Sequence, residues 1–355
     1  MPLSQPEYEV IVMEDVMIPV RGRVRLATDI YRPALNGEFL PEPLPVILER
    51  TPYNKRTQDR VERNCRYFAR RGYIFAIQDC RGCFASEGDM DFFWQEGPDG
   101  YATVGWLALQ AWCNGKIGTT GTSYAGWTQN AIAALAPPNL ACMWVNEAAS
   151  NGFTSTLRHG GALELRFLAW LYWHAALNTN TTLKKNPEVA AVLESADIQE
   201  ILRHLPIEKG GTPLALAPSY EQRALDILTK SDFTELWKDP SVNFELHWDR
   251  FADVPTVFSS AWYDSYTRAN LENYVGLSQR NKGPYRLLMG PWTHGDSFMG
   301  YSFAGDIDLG PEAAIDYNTE RLRWFDRWLK GLGSGVDNDS PVSIFVMGGG
   351  NGRRN

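Results

Sequence analysis

Short, continuous apolar runs alternate with stretches in which apolar residues recur every three or four positions, and this rhythm organises much of the chain. Residues 8–31 read as a β-hairpin: Val16-Met17-Ile18-Pro19-Val20, a turn at Arg21-Gly22, then a second arm from Val24 to Tyr31. Further β-type runs lie at Val46-Ile47-Leu48, Tyr73 to Ile77, Ile117 to Thr120, Cys142 to Val145, Thr256-Val257-Phe258 and Arg286 to Met289. Helical spacing separates the earlier ones. Residues 58–71 carry Val61, Cys65, Phe68 and Ala69 at that spacing and end at Gly72, and residues 98–110 carry Tyr101, Val104, Leu107 and Ala108. A last helix, about Asn318 to Lys330, buries Leu322, Phe325, Trp328 and Leu329 and stops at Gly331. Strands that are apolar throughout, separated by helices, predict an α/β fold with a mostly parallel sheet flanked by helices on both faces.

The rhythm breaks between Ser150 and about Arg250. Residues 157–178 hold a dense apolar set that includes Leu163, Phe167, Trp170 and Trp173, and helix formers dominate 183–202 and 220–237. This predicts a helical cap inserted over the sheet's C-terminal edge, where open α/β sheets bind ligands. The chain then divides into a core (1–149), the cap (150–250), the rest of the core (251–335) and a linker with one β-type run, Pro341 to Met347 (336–355). A lone strand must pair elsewhere or stay exposed.

Composition adds limits. At 355 residues, 44% hydrophobic and 21% charged, the chain can bury a large core and is not disordered. A net charge of −8 without a basic run argues against nucleic-acid binding, and no run reaches the ~18 apolar residues of a membrane span. The first residues carry no secretory signal, and the five cysteines are an odd number. Cys80 and Cys83 lack a second Cys/His pair to complete a zinc site, so all five read as reduced, mostly buried thiols in a cytoplasmic protein, with no metal. Thirteen Trp, fifteen Tyr and sixteen Phe suit an aromatic-lined pocket.

The candidate chemistry sits at three strand ends. Gly121-Thr122-Ser123-Tyr124-Ala125-Gly126 lies between a β-type and a helix-type run, the setting of a nucleophile elbow, whose sharp turn requires small flanking residues. A serine hydroxyl needs a general base, and a histidine base needs a carboxylate to fix its tautomer. Of the five histidines (159, 174, 204, 247 and 294), only His294 follows a core strand, the run ending at Met289. Asp264 sits just past Thr256-Val257-Phe258. Asp253 precedes that strand and Asp296 is too close to His294 to orient it, so the set is Ser123, Asp264 and His294, in the order of an α/β-hydrolase.

Gly121-x-Ser123-Tyr124-x-Gly126, Trp262-Tyr263-Asp264 and Gly290-Pro291-Trp292-x-His294 resemble the motifs of the Xaa-Pro dipeptidyl-peptidase-like hydrolases, a family that includes cocaine esterase and the α-amino-acid ester hydrolases. Arg50-Thr51-Pro52-Tyr53, Asp79-Cys80-Arg81-Gly82 and the stretches Glu96 to Tyr101 and Trp112 to Lys116 resemble further segments of it, over roughly residues 15–350. The resemblance implies an α/β-hydrolase fold with a helical cap and a C-terminal jelly-roll domain. It also implies a serine hydrolase acting on an ester, amide or peptide substrate without a cofactor, and an oxyanion hole made by the Tyr53 hydroxyl and the Tyr124 N–H. Asp79 and Arg81 read as a buried ion pair bracing the elbow.

Two departures stand out. Ala125 replaces the second glycine of the strict elbow pattern, with Gly126 one place later. Fifteen residues from Pro341 onward are too few for a jelly-roll, so the chain is expected to lack most of that domain. Ser265, Tyr266 and Thr267 stand where the α-amino-acid ester hydrolases place acidic residues, which counts against the β-lactam-acylating subclass. An Xaa-Pro dipeptidyl peptidase remains the alternative, with Glu147 and Glu164 as candidates to capture a free α-amino group. A non-catalytic binding protein on the same fold is the rival of another class, and a homo-oligomer stays open.

Overall fold

Val46, Ile47 and Leu48 are all buried, yet neighbouring residues of a strand point to opposite faces, so such a strand must be covered on both sides. In the computed structural model, which describes residues 2–179, 185–280 and 283–348, the sheet meets that demand. Its main strands are β1 (Glu9–Pro19), β2 (Arg25–Leu35), β3 (Leu44–Thr51), β4 (Ile74–Asp79), β5 (Cys113–Thr122), β6 (Leu140–Asn146), β7 (Thr256–Tyr263), β8 (Tyr285–Thr293) and β9 (Val342–Ile344). They lie in the order β1-β2-β4-β3-β5-β6-β7-β8-β9, with the two-residue strand Glu38–Phe39 against β2. The first hairpin is antiparallel and β2 meets β4 antiparallel; every pairing from β4 to β9 is parallel.

One face carries Val46, Leu48, Ala76, Val145 and Phe258 into a cluster with α2 (Glu96–Ala108) and α3 (Tyr124–Ala133). The other carries Ile47, Phe75, Trp144, Val257 and Leu288 against the helical run 58–69 (α1) and the late helix α9 (Tyr317–Trp328). Successive side chains of these continuously apolar strands point to opposite faces and so fill two cores from one sheet. The mostly parallel sheet flanked by helices matches the fold expected from the sequence.

The segment between β6 and β7 holds a two-residue hairpin (Arg158–His159 with Ala162–Leu163), then α4 (Arg166–Thr179), α5 (Pro187–Glu194), α6 (Ile198–Arg203) and α7 (Pro218–Thr229). After these come α8 (Thr267–Ser278), following β7, and α9 (Tyr317–Trp328), following β8. Three details differ from the sequence reading. Gly160 and Gly161, both at positive φ, turn the chain before Leu163, so the apolar set from residue 157 does not begin a helix until Arg166. The 220–237 helix stops at Thr229 and resumes only as a 3-10 turn at Glu235–Lys238. Residues 61–66 of α1 are wound as a π-helix. The start of the 183–202 run and the Gly-rich end beyond Gly348 lie outside the described residues.

The tail strand finds its partner at the sheet edge. β9 pairs parallel with β8, Phe345 N–H donates to the Met289 carbonyl at 2.9 Å, and Trp262 Nε1 donates to the Phe345 carbonyl at 2.8 Å. The five cysteines are buried thiols outside any disulfide, as read from the sequence. Among the described residues no helix is long and apolar enough to cross a membrane.

Candidate active site

Ser123 stands between β5 and α3 with φ 62° and ψ −120°, a strained conformation for any residue with a side chain. Its N–H donates to the Asn146 carbonyl at 3.0 Å and its own carbonyl accepts from Trp127 N–H at 2.8 Å, which locks the turn. The flanking glycines are there for space. A Cβ on Gly121 would meet the Ala125 Cβ at 2.6 Å, and one on Gly126 would meet the Asn146 carbonyl at 2.6 Å. Position 125 therefore tolerates alanine, while 121 and 126 do not. Tyr124 opens α3, so its N–H has no carbonyl within the helix to bond and lies at the positive end of the helix dipole.

Asp264 follows β7 directly and His294 follows β8. His294 Nδ1 approaches Asp264 Oδ2 at 3.1 Å, and the carboxylate's other oxygen accepts from the Tyr266 N–H at 3.1 Å. The Asp264 side chain is 1% exposed and that of His294 42% exposed, so a buried acid holds a partly open imidazole. Because a carboxylate only accepts, the hydrogen bond places the imidazole proton on Nδ1 and leaves Nε2 as a base. The Tyr266 ring leans on His294 with centroids 5.7 Å apart.

Ser123, His294, Tyr53 and Tyr124 line one cavity of about 660 Å³. Its wall is aromatic, with Phe93, Trp170 and Trp173, and its charged members are Arg60 and Arg166; among the described residues no carboxylate lines it. Ser123 Oγ makes no hydrogen bond to His294 among the described residues. The site thus brings Asp264 and His294 into contact, and places Ser123 on the same cavity wall as the histidine.

Tyr53 follows β3. Its hydroxyl accepts from Trp170 Nε1 at 3.0 Å, and burial pushes its phenol pKa upward, so it remains a protonated donor. Behind it, His174 is fully buried and bonds the Pro52 carbonyl through Nε2 at 2.8 Å and the Tyr220 hydroxyl through Nδ1 at 2.7 Å. A carbonyl cannot donate, so Nε2 carries the proton and Nδ1 accepts from the phenol. Burial holds the His174 pKa down at about 4. The Tyr124 phenol donates to Glu96 at 2.9 Å and accepts from the Phe93 N–H at 2.9 Å, while Glu96 pairs with the buried Arg50 at 2.8 Å.

The expected pairing of Asp79 with Arg81 is not formed, and this is a correction. Asp79, the last residue of β4, binds Lys55 Nζ and the Lys55 N–H at 2.8 and 2.9 Å. Arg81 instead reaches Asp99 on α2 with two bonds of 2.6 and 2.7 Å. Each charge is buried, and each is matched by a partner distant in sequence that faces it. Both still brace the loops beside the site.

Glu147 and Glu164 also sit differently from a substrate-capturing role. Glu147 follows β6 at φ 47°, fully buried behind His294; its Oε2 accepts from the Gly295 N–H at 2.6 Å and lies 3.3 Å from His294 Nδ1. Burial, then the adjacent Asp264 charge, push its pKa well above the usual carboxylate range. Glu164 is engaged by Arg166 and, at 3.2 Å, by His159. Sequence reasoning missed Glu147 as a neighbour of the histidine; its position just past a β-type run was the available signal.

The sequence profile of the X-Pro dipeptidyl-peptidase (S15 family) matches residues 22–296. The chain belongs to that family. It is 30% identical over 354 residues to cocaine esterase of Rhodococcus sp. (strain MB1 Bresler), covering 95% of this chain and 58% of that protein. Two solved structures share its fold. An aminopeptidase from a marine sediment Thaumarchaeota archaeon superposes with a TM-score of 0.72 at 18% identity, over 98% of this chain and 59% of that one. An α-amino acid ester hydrolase gives 0.71 at 21% identity, over 100% and 59%. The chain therefore spans somewhat under two thirds of the length of these relatives.

Proposed function

We propose that the protein is a serine hydrolase that cleaves ester or amide bonds through an acyl-enzyme. Ser123 Oγ attacks the carbonyl carbon while His294 Nε2 takes its proton, and the carbonyl π electrons move to oxygen. The Tyr53 hydroxyl and Tyr124 N–H donate to that oxyanion, each worth about 3 kcal/mol of transition-state stabilisation. Collapse expels the alcohol or amine, which takes the proton from His294. Water, deprotonated by the same imidazole, then attacks the acyl carbon and releases the acid. Asp264 holds the Nδ1 proton throughout.

The observation that carries this reading is the strained Ser123, at a helix N-terminus, on the wall of the cavity that His294 enters with its Nδ1 edge bonded to Asp264. Ser123 and His294 line the same cavity, and catalytic hydrogen bonds commonly tighten when substrate binds. The family match and the cocaine esterase similarity support hydrolysis.

The cavity favours an uncharged or acidic acyl group over a peptide N-terminus. A dipeptidyl peptidase must hold an ammonium group, and the described lining offers two arginines and no carboxylate. Comparing a p-nitrophenyl ester with a Gly-Pro anilide tests this: the ester should be hydrolysed and the anilide left intact. Loss of ester hydrolysis in Ser123→Ala tests the mechanism, and undiminished activity would end it.

A further inference from the structure

His294 Nδ1 has two carboxyl groups within reach, and they arrive from different strands. Asp264 comes from the end of β7, at 3.1 Å in hydrogen-bonding geometry; Glu147 comes from the end of β6, at 3.3 Å. The backbone at Glu147 takes a positive φ, which a residue with a long side chain adopts only when its surroundings impose it. Those surroundings are visible. Its N–H donates to the Ser259 carbonyl on β7 at 2.8 Å, and its Oε2 accepts from the N–H of Gly295, next to the histidine. Its other oxygen, Oε1, has no hydrogen-bond partner among the described residues, although the side chain is fully buried. Burying a carboxyl and leaving half of it unpaired is costly.

We infer that Glu147 is a second positioning residue for His294, an alternative acceptor for the Nδ1 proton that stands in when Asp264 is lost. The inference rests on the serine-hydrolase reading above. An imidazole has one Nδ1–H and can give it fully to one acceptor at a time, so the two acids are alternatives and not additive partners. In the intact protein Asp264 holds the better geometry, and Glu147 fixes the Gly295 backbone and so the loop that carries the imidazole. The groups facing Glu147 are Asp264, His294, Asp296 and the Tyr317 phenol, and Asp296 is itself 3.9 Å from Arg63. Burial and then the Asp264 charge push the Glu147 carboxyl well above the ordinary carboxylate range, and its ionisation makes it a stronger acceptor for the Nδ1 proton.

The test is a double-mutant cycle on ester hydrolysis, with Asp264→Ala, Glu147→Gln and the combination. Loss of the only carboxylate behind a catalytic histidine lowers kcat by about 10⁴-fold. With Glu147 in place, Asp264→Ala is expected to lose only about 10²-fold, and adding Glu147→Gln should bring the loss to about 10⁴-fold. The residual rate of Asp264→Ala should also climb with pH beyond the rise that deprotonation of the imidazole gives every variant, and that extra climb should vanish in the double variant. A residue that merely supports the fold would not produce it. If Asp264→Ala does not fold, Asp264→Val, which offers Nδ1 no hydrogen-bonding group, serves in its place. A full 10⁴-fold loss on removing Asp264 alone, unchanged by Glu147→Gln, would overturn the inference. Ser123→Ala separates the two claims: activity surviving in that variant contradicts the serine mechanism itself, whereas the cycle addresses only the second acid.

Discussion

Trp170 Nε1, on α4, donates to the hydroxyl of Tyr53, at the end of β3, at 3.0 Å. An indole has no acceptor, so this bond occupies a lone pair of the phenol and leaves its proton to point elsewhere. The helical segment over the sheet thereby sets the direction in which Tyr53 donates. Tyr53→Phe is expected to lower kcat about 10²- to 10³-fold on a p-nitrophenyl ester with little change in KM, the signature of a donor used mainly in the transition state. Steady-state kinetics on the purified variant check this. Trp170→Phe should follow in the same direction with a smaller loss, because it frees the phenol without removing it.

Tyr124 separates two roles within one residue. Its N–H is the proposed second oxyanion donor, while its phenol is tied to Glu96 and the Phe93 N–H. Tyr124→Phe keeps the N–H and strips a buried carboxyl and a buried amide of their shared partner. Stability should fall by about 2 kcal/mol, read by urea unfolding, with kcat/KM for folded protein near that of the parent. A large kinetic loss without a stability loss would give the phenol a direct role.

The local turn at Ser123 was legible in the sequence because its constraint is local: two glycines without room for a Cβ, between an apolar run and a helix. Asp264 and His294 were legible for the same kind of reason, each lying just after an apolar run that is a parallel strand. What the sequence does not carry is which charges meet. Asp79 and Arg81 are two residues apart, yet they bond Lys55 and Asp99, because the partners arrive from β3's following loop and from α2. The closeness of Glu147 to His294 likewise depends on β6 and β8 flanking β7, an order set by the crossovers between strands. The breaks in the 150–250 segment escaped because its apolar spacing continues through Gly160-Gly161 and past Thr229, where the backbone turns.

Lys55 offers a test of the ion pairs. Its ammonium is buried between Asp79 and Asp15, both at 2.8 Å. Lys55→Met leaves the buried Asp79 carboxylate without its cation and should cost about 3 kcal/mol in chemical denaturation. Because Lys55 lies two residues after Tyr53, a fall in kcat is expected alongside. The expected stability loss is absent if Asp79 is compensated elsewhere.

His174 predicts a pH dependence of stability. Its folded pKa is held down at about 4 by burial, against an ordinary value of 6.5. Between those values the unfolded chain binds the proton and the folded one refuses it, so stability is fully present above pH 6.5 and falls as pH drops toward 4. The loss at pH 5 is about 2 kcal/mol from this residue alone. Urea melts at pH 7 and pH 5 measure it, and in His174→Gln the difference between the two should shrink by that amount.

The central claim is that Ser123 Oγ becomes acylated, and covalent capture tests it most directly. The protein is treated with a fluorophosphonate probe and the modified peptide is located by mass spectrometry. One adduct on the peptide bearing Ser123 is predicted, missing in Ser123→Ala and strongly slowed in His294→Ala. A folded chain that takes no label, or takes it at another residue, would contradict the account.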